Sequence, residues 1–131
     1  MNPNEWPDWS VYLRDRCRCV YCGFDGSVYA NWRQLQIDHL LPKSVYPALI
    51  DSPENKVVSC CRCNGLKGNY DPSNGKGLVN RGPQIEDAAS MIYRKGQSDH
   101  DGFVRMMIEI DCLSANAVQP GDATDRATPD R

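Results

Sequence analysis

Apolar residues recur at helical spacing in three stretches of this 131-residue chain. Residues 9–16 follow Asp8, a residue type that caps helix starts, and an apolar face is expected for Trp9, Tyr12 and Leu13. Residues 83–96 begin with proline and end with basic residues and glycine, which are helix start and stop signals. Residues 100–113 form a third candidate helix. We expect two stripes to pack in the core: Ile85, Ala88, Ala89 and Ile92, and Phe103, Met106, Met107 and Ile110.

Two shorter stretches between these helices predict strands. Residues 34–38, QLQID, alternate apolar and polar side chains, and residues 56–59, KVVS, form a second short strand. Three prolines interrupt the segment between them, which predicts a loop, and residues 27–33 fit at most one helical turn. The stretch CRCNGLKGNY then predicts a turn into a short helix that ends at Gly68 and Pro72. The pattern predicts an α+β fold: a ββα core with an N-terminal helix and two C-terminal helices.

The length of the chain suits one domain and a tail. We expect the domain to cover residues 1–113, with its core at about 14–69 and its C-terminal helices at about 83–112. Residues 114–131 are polar and have almost nothing to bury, so they predict a disordered tail.

The net charge of −2 is unevenly distributed. Residues 1–83 carry ten Lys or Arg against eight Asp or Glu, and residues 84–131 carry five against nine, so the balances are +2 and −4. The first part is therefore the better place for a polyanion. No apolar run has the length of a membrane span, and the first residues lack the pattern of a signal peptide. We expect a cytoplasmic protein without membrane contact.

Seven cysteines in such a chain predict metal binding rather than disulfides. Two C-x-x-C pairs, Cys19 with Cys22 and Cys60 with Cys63, supply four thiolates, which close a tetrahedral zinc site. A closed site has no open position, so this zinc would stabilise the fold and not catalyse. Cys17 is an alternative ligand to Cys19, since its spacing to Cys22 is also compatible. The other cysteines are expected to pack or to be exposed thiols: Cys61 and Cys112.

The two cysteine pairs flank Asp38 and His39, which end the first predicted strand. A zinc ion bound by both cysteine pairs would bring this strand end, the second strand and Asn64 close together. A neutral histidine can take a proton from water, and Asp and Asn oxygens are hard ligands that suit Mg²⁺ or Mn²⁺. Side chains alternate along a strand, so Asp38 and His39 point to different faces unless the strand ends there. Pro42 and the loop after it favour such an ending, which would let Asp38, His39 and Asn64 converge on one site. Asn64 is also a possible helix cap. The other histidine, His100, is expected at the surface.

In this order and spacing, CVYCG, IDHLLP, ENKVV and CCRCNGLKGN resemble the His-Asn-His (HNH) endonucleases of the four-cysteine ββα-metal finger type. The resemblance covers about residues 14–69. It departs from the family pattern at Asn64, where the last histidine usually stands, although some members carry asparagine there. The resemblance implies a metal-dependent endonuclease that hydrolyses phosphodiester bonds in DNA. His39 would be the general base, Asp38 and Asn64 would hold a catalytic Mg²⁺ or Mn²⁺, and Asn55 would brace the loop.

Basic residues around these motifs are candidate contacts to DNA phosphates: Lys67, Arg62, Lys43, Lys56 and Arg33. No groove-reading motif is present, so we expect low sequence specificity. Two other functions also fit. One is a non-catalytic zinc-stabilised module that binds nucleic acid or protein and does not need His39. The other is a nuclease subunit of a larger defence or mobile-element complex, which would bind a protein partner through the C-terminal helices.

Overall fold

The computed structural model describes residue 2 and residues 5–110. At its centre is a two-stranded antiparallel sheet of β1 (Leu35–His39) and β2 (Lys56–Cys60). The register pairs Leu35 with Cys60 and His39 with Lys56. Both strands begin and end within two residues of their predicted bounds, because their short apolar runs are followed by proline or by a cysteine turn.

Helices lie before and after this sheet. The first is α1 (Trp9–Arg14), α2 (Cys61–Lys67) follows β2 directly, and α3 (Arg81–Glu109) comes last. Three short 3₁₀ helices complete the described elements: Asn31–Gln34, Pro47–Leu49 and Pro53–Asn55. The predicted α+β class and the ββα order are therefore confirmed.

The two faces of the sheet pack against different parts of the chain. Val58 and Ile37 face Val11 and Tyr12 of α1. Val57, on the alternate face, belongs to a larger cluster that also includes Leu40, Leu41, Ala88, Ile92 and three of the four paired cysteines, Cys19, Cys60 and Cys63. The helical stripe predicted for residues 83–96 thus packs in the core, with Ala88 and Ile92 buried and Ile85 and Ala89 partly buried.

The start of α1 differs from its prediction. Asp8 holds the N-cap position in a left-handed conformation, yet its side chain makes no capping hydrogen bond. Instead, its carboxylate forms an ion pair with Lys56 Nζ at 2.8 Å. This ion pair links the start of α1 to β2. Leu13, expected on the apolar face, is 64% exposed, and Val11 is buried in its place. A helix of only six residues turns too little for a three-residue stripe to define its buried face.

The C-terminal region forms one helix where the sequence predicted two. Residues 81–109 are continuous because Gly96 and Gly102 weaken a helix by only about 1 kcal/mol each, and the one proline of the helix, Pro83, lies in its first turn. By its contacts the described chain divides into two units, with the boundary between residues 94 and 95. In the second unit, the predicted core residues Phe103, Met106 and Ile110 are half or more exposed. The predicted domain end at 113 and the tail at 114–131 lie outside the described residues.

Among the described residues, no helix is long and apolar enough to cross a membrane.

Candidate functional site

Four cysteines converge at the junction of the sheet and α2. The sulfurs of Cys19, Cys22, Cys60 and Cys63 all lie within 4.8 Å of one another. Cys22 Sγ and Cys60 Sγ are 3.7 Å apart, close to the roughly 3.8 Å that a tetrahedron with 2.3 Å zinc–sulfur bonds requires. Four sulfurs with this spacing fit a zinc-type ion. The predicted cluster of four cysteines, positioned to bind a metal ion, is confirmed, and it contains Cys19 rather than Cys17.

Local turns aim these sulfurs at one point. Gly23, at φ 78°, closes the first pair, and its N–H donates to the Cys19 carbonyl. The second pair begins α2: Cys60 occupies the N-cap position, and its sulfur accepts a hydrogen bond from the Cys63 N–H. The cap is thus a metal-site cysteine, whereas Asn64, considered above as a cap, lies inside the helix.

The proximity of these sulfurs changes how they hold protons. A hydrogen bond from Cys63 lowers the pKa of Cys19 to about 4, and the same contact raises the pKa of Cys63. Burial raises the pKa of Cys60. A hydrogen bond to Cys22 raises the pKa of Arg62, which therefore lies against the metal site. A cation beside the sulfurs would partly balance the charge of four thiolates.

The spare cysteines lie outside the cluster. Cys17 is half-buried, and Cys61 is exposed and donates to Gln34 Oε1 at 3.0 Å. Cys112 lies outside the described residues.

Asp38 is buried next to the metal site. Tyr21, which lies between the first two cysteines, donates its hydroxyl to Asp38 Oδ2 at 2.7 Å. Lys67 Nζ, from the last turn of α2, lies 3.2 Å from the same oxygen and donates to the His39 carbonyl at 2.8 Å. Burial and the nearby Asp38 carboxylate raise the pKa of Tyr21, so its hydroxyl remains a donor. Two donors on Oδ2 orient the carboxylate and leave Oδ1 for another partner.

His39 ends β1, and its ring is held on the opposite side of the strand from Asp38. The sequence favoured a strand that ends early enough to bring both side chains to one site. Instead β1 continues through His39, so the alternation of side chains separates the two residues. His39 Nε2 lies 2.9 Å from the Ile50 carbonyl oxygen. A carbonyl only accepts, so Nε2 carries the proton, and in the neutral ring Nδ1 is the acceptor.

Asn55 braces the loop that follows His39. Its side chain is fully buried, accepts a hydrogen bond from the Leu41 N–H at 2.8 Å and donates to the Leu41 carbonyl at 3.1 Å. Its own carbonyl accepts from the Leu40 N–H. These bonds tie the chain just after β1 to the chain just before β2.

Asn64 is half-buried in α2, three residues before Lys67. Residues at this spacing share a helix face, so Asn64 lies on the side of α2 from which Lys67 reaches Asp38. No hydrogen bond to its amide occurs among residues 5–110.

The five predicted phosphate contacts differ in their surroundings. Lys43 and Arg33 are exposed, and Arg33 lies 5.2 Å above the Trp32 ring. Lys56 pairs with Asp8, and Arg62 bonds Cys22. The Lys67 side chain is 1% exposed, so its contacts are with Asp38 and the His39 backbone, and it offers no surface ammonium for a phosphate.

The sequence did not identify Tyr21 or the positioning role of Lys67. The position of Tyr21 between Cys19 and Cys22 could have indicated its role. A metal site formed by these cysteines places the tyrosine hydroxyl near the polar side chains of the adjacent strand, here Asp38.

Comparisons with known proteins agree with this geometry. Residues 19–70 match the family model described as HNH endonuclease. The chain is also similar to Septu protein PtuB of Bacillus thuringiensis, with 39% identity over 75 residues. That alignment covers 57% of this chain and 27% of the relative, so the chain spans about a quarter of that protein's length.

Proposed function

We propose that this protein is a metal-dependent endonuclease that hydrolyses phosphodiester bonds in DNA, since residues 19–70 match the HNH endonuclease family model. His39 is its general base, Asp38 and Asn64 hold the catalytic divalent ion, and Asn55 braces the loop between them. The observation that carries this proposal is the pair of opposed restraints at the end of β1: Ile50 orients the His39 ring, while Tyr21 and Lys67 orient the Asp38 carboxylate.

His39 takes the proton from the attacking water at Nδ1. Its bond from Nε2 to the Ile50 carbonyl selects the neutral tautomer that has this free acceptor, and it also fixes the plane of the ring. Asn55 keeps the following loop, and with it the Ile50 segment, at a constant distance from the strand end.

Asp38 and Asn64 supply oxygen ligands to Mg²⁺ or Mn²⁺. Asp38 does so through Oδ1, because Oδ2 already accepts from Tyr21 and Lys67, and Asn64 does so through its amide oxygen from the neighbouring helix face. A divalent ion held by these two side chains would supply a positive charge that stabilises the phosphate and the leaving oxygen. The zinc-type site stabilises the junction of strand and helix that carries both ligands.

DNA binds through phosphate contacts, for which the exposed Lys43 and Arg33 are the best placed of the five basic candidates. A cytoplasmic location is part of the same proposal, because free thiols persist in a reducing compartment.

Plasmid cleavage with Mg²⁺ or Mn²⁺ tests the proposal. We expect His39→Ala to lower the rate by about 10²–10⁴ with zinc content and fold retained, since that is the usual contribution of a general base. His100→Ala is the matched control, because His100 is an exposed histidine in α3. If His39→Ala cleaves at the wild-type rate, the mechanism is wrong and a non-catalytic zinc module becomes the better interpretation.

A second proposal concerns assembly: the protein is the nuclease subunit of a larger defence or mobile-element complex and binds a protein partner through α3. It is supported by the exposed apolar side chains of Phe103, Met106, Ile108 and Ile110. Size-exclusion chromatography of co-expressed proteins, with Phe103→Asp as the variant, would test it. A partner that remains bound to this variant would argue against that surface.

A further inference from the structure

Four aromatic rings cluster beside the N-terminal helix. Trp6 stacks on Tyr12 with ring centroids 4.6 Å apart, and it meets Trp9 and Trp32 at 6.2 and 6.5 Å. Between them lies an open pocket of about 370 Å³, lined by Trp6, Tyr12, Cys17, Gly26, Ser27, Trp32 and Leu35. Trp32 is 43% exposed. The proposed mechanism uses none of these side chains.

From this pocket we infer a binding site for an unpaired nucleobase of the DNA substrate. The inference rests on the proposed nuclease function and adds a substrate class to it: DNA with single-stranded or frayed nucleotides near the cleavage point.

The shape and chemistry of the pocket suit a base. Flat aromatic walls stack on the face of any base, and a guanidinium beside them adds attraction; Arg33 lies 5.2 Å above the Trp32 ring. Few polar groups are free to read base edges, because the Ser27 hydroxyl already donates to Asp25 at 2.6 Å. The site should therefore bind bases by stacking, with little preference for sequence.

The surrounding charges suit a nucleic acid strand. Arg33, which lies against the Trp32 ring, and Arg16, which precedes the pocket residue Cys17 in the chain, are exposed. Neither forms an ion pair in the part of the chain that the structure describes. The nearby acidic groups are already paired, Asp25 with Arg18 at 3.0 Å and Asp8 with Lys56 at 2.8 Å. Free cations next to aromatic rings are the combination that single-stranded nucleic acid binds.

The pocket lies on the same side of β1 as His39. Leu35 lines the pocket and begins the strand, His39 ends it, and side chains two residues apart share a face. Four residues of strand span about 13 Å. A DNA strand at the duplex rise of about 3.4 Å per nucleotide covers this distance in about four nucleotides. A base in the pocket would therefore fix the position of the strand relative to the general base.

Intrinsic fluorescence offers a direct test, because all three tryptophans of the chain, Trp6, Trp9 and Trp32, belong to this cluster. The zinc-loaded His39→Ala protein, which should bind without cleaving, would be titrated with single-stranded oligothymidylate. An abasic strand of equal length serves as the control, since it has the same phosphates. We expect oligothymidylate, but not the abasic strand, to quench the fluorescence. Oligothymidylate should also bind about 5- to 150-fold more tightly than the abasic strand, the usual value for stacking one base.

Variants connect the effect to the pocket. Trp32→Ala should lose most of the preference for the base-containing strand, and Trp32→Phe should recover part of it. Tyr29→Ala is the matched control, since Tyr29 is 95% exposed and does not line the pocket. Circular dichroism and zinc content would verify that each variant is folded.

The outcomes separate this inference from the nuclease proposal. Equal affinity for the base-containing and abasic strands, or a Trp32→Ala protein that binds like Tyr29→Ala, overturns the pocket even if the wild type cleaves DNA. Base-dependent quenching in a protein that does not cleave would retain the pocket and refute the nuclease.

Discussion

Replacing Tyr21 with phenylalanine removes one hydroxyl from the contact between the metal site and Asp38. Tyr21 and Asp38 are both about 90% buried, and the bond that joins them is 2.7 Å long. A hydrogen bond to a charged group contributes about 1.5–3 kcal/mol. Lys67 stays within 3.2 Å of the same oxygen, so the carboxylate keeps a charge partner. We therefore expect Tyr21→Phe to lower the free energy of unfolding by about 1.5–2 kcal/mol, the low end of this range, as measured by urea denaturation with zinc present.

In the proposed mechanism, the larger effect of Tyr21→Phe should be on the binding of the catalytic divalent ion. Asp38 would be less well oriented, and removing a hydrogen-bond partner from a metal-binding carboxylate typically costs 10- to 100-fold in affinity or activity. Tyr21→Phe should raise the Mg²⁺ concentration for half-maximal plasmid cleavage by about that factor, with a smaller change in the rate at saturating Mg²⁺. Zinc content, measured by elemental analysis, should not change, because phenylalanine fills nearly the same volume.

Tyr70→Phe provides the control. The Tyr70 hydroxyl also donates to a carboxylate, Asp87 at 2.6 Å, but this pair is exposed and has no contact with Asp38. If Tyr21→Phe and Tyr70→Phe require the same Mg²⁺ concentration as the wild type, Tyr21 does not position Asp38 for the ion.

Two further predictions concern stability. Cys60→Ser should prevent stable folding because it removes one of the four clustered sulfurs. Cys61→Ser changes an exposed cysteine outside the cluster and should retain full zinc content. Circular dichroism and elemental analysis measure fold and zinc in both variants, and a folded Cys60→Ser protein would contradict the coupling of metal binding to folding. Asn55→Ala should lower the free energy of unfolding by about 2–4 kcal/mol because it leaves two buried backbone groups unpaired. Asn69→Ala, a substitution at an exposed asparagine, should change this free energy by less than about 0.5 kcal/mol. Similar urea midpoints for the two variants would refute the bracing role of Asn55.

Much of the metal centre could be predicted from the sequence alone, because its determinants are local. Two cysteines separated by two residues present both sulfurs from one turn, whatever the rest of the chain does. The strands were likewise predictable, since apolar alternation or a short valine run bounded by prolines leaves few other structures. The choice between Cys17 and Cys19 was not local. It depended on which backbone turn faces the second pair, and only the folded chain determines that.

Only the tertiary structure determined the surroundings of Asp38 and His39. The sequence brought them next to each other, but the pairing of β1 with β2 through its last residue sends them to opposite sides. Lys67, expected at a phosphate, is drawn inside because α2 packs against β1 and an unpaired buried carboxylate would be costly.

The C-terminal helix shows the same difference between what the local sequence determines and what tertiary packing determines. Its periodic apolar residues were correctly identified as helical, since helical period is a property of the local sequence. Whether such a stripe is buried depends on what other surface is available to cover it. Ala88 and Ile92 pack in the core, while Phe103 and Met106 stay exposed, although the two stripes have the same pattern in the sequence. Local patterns therefore determined most of the elements and the pairing of cysteines in C-x-x-C turns, and long-range packing determined which side chains meet.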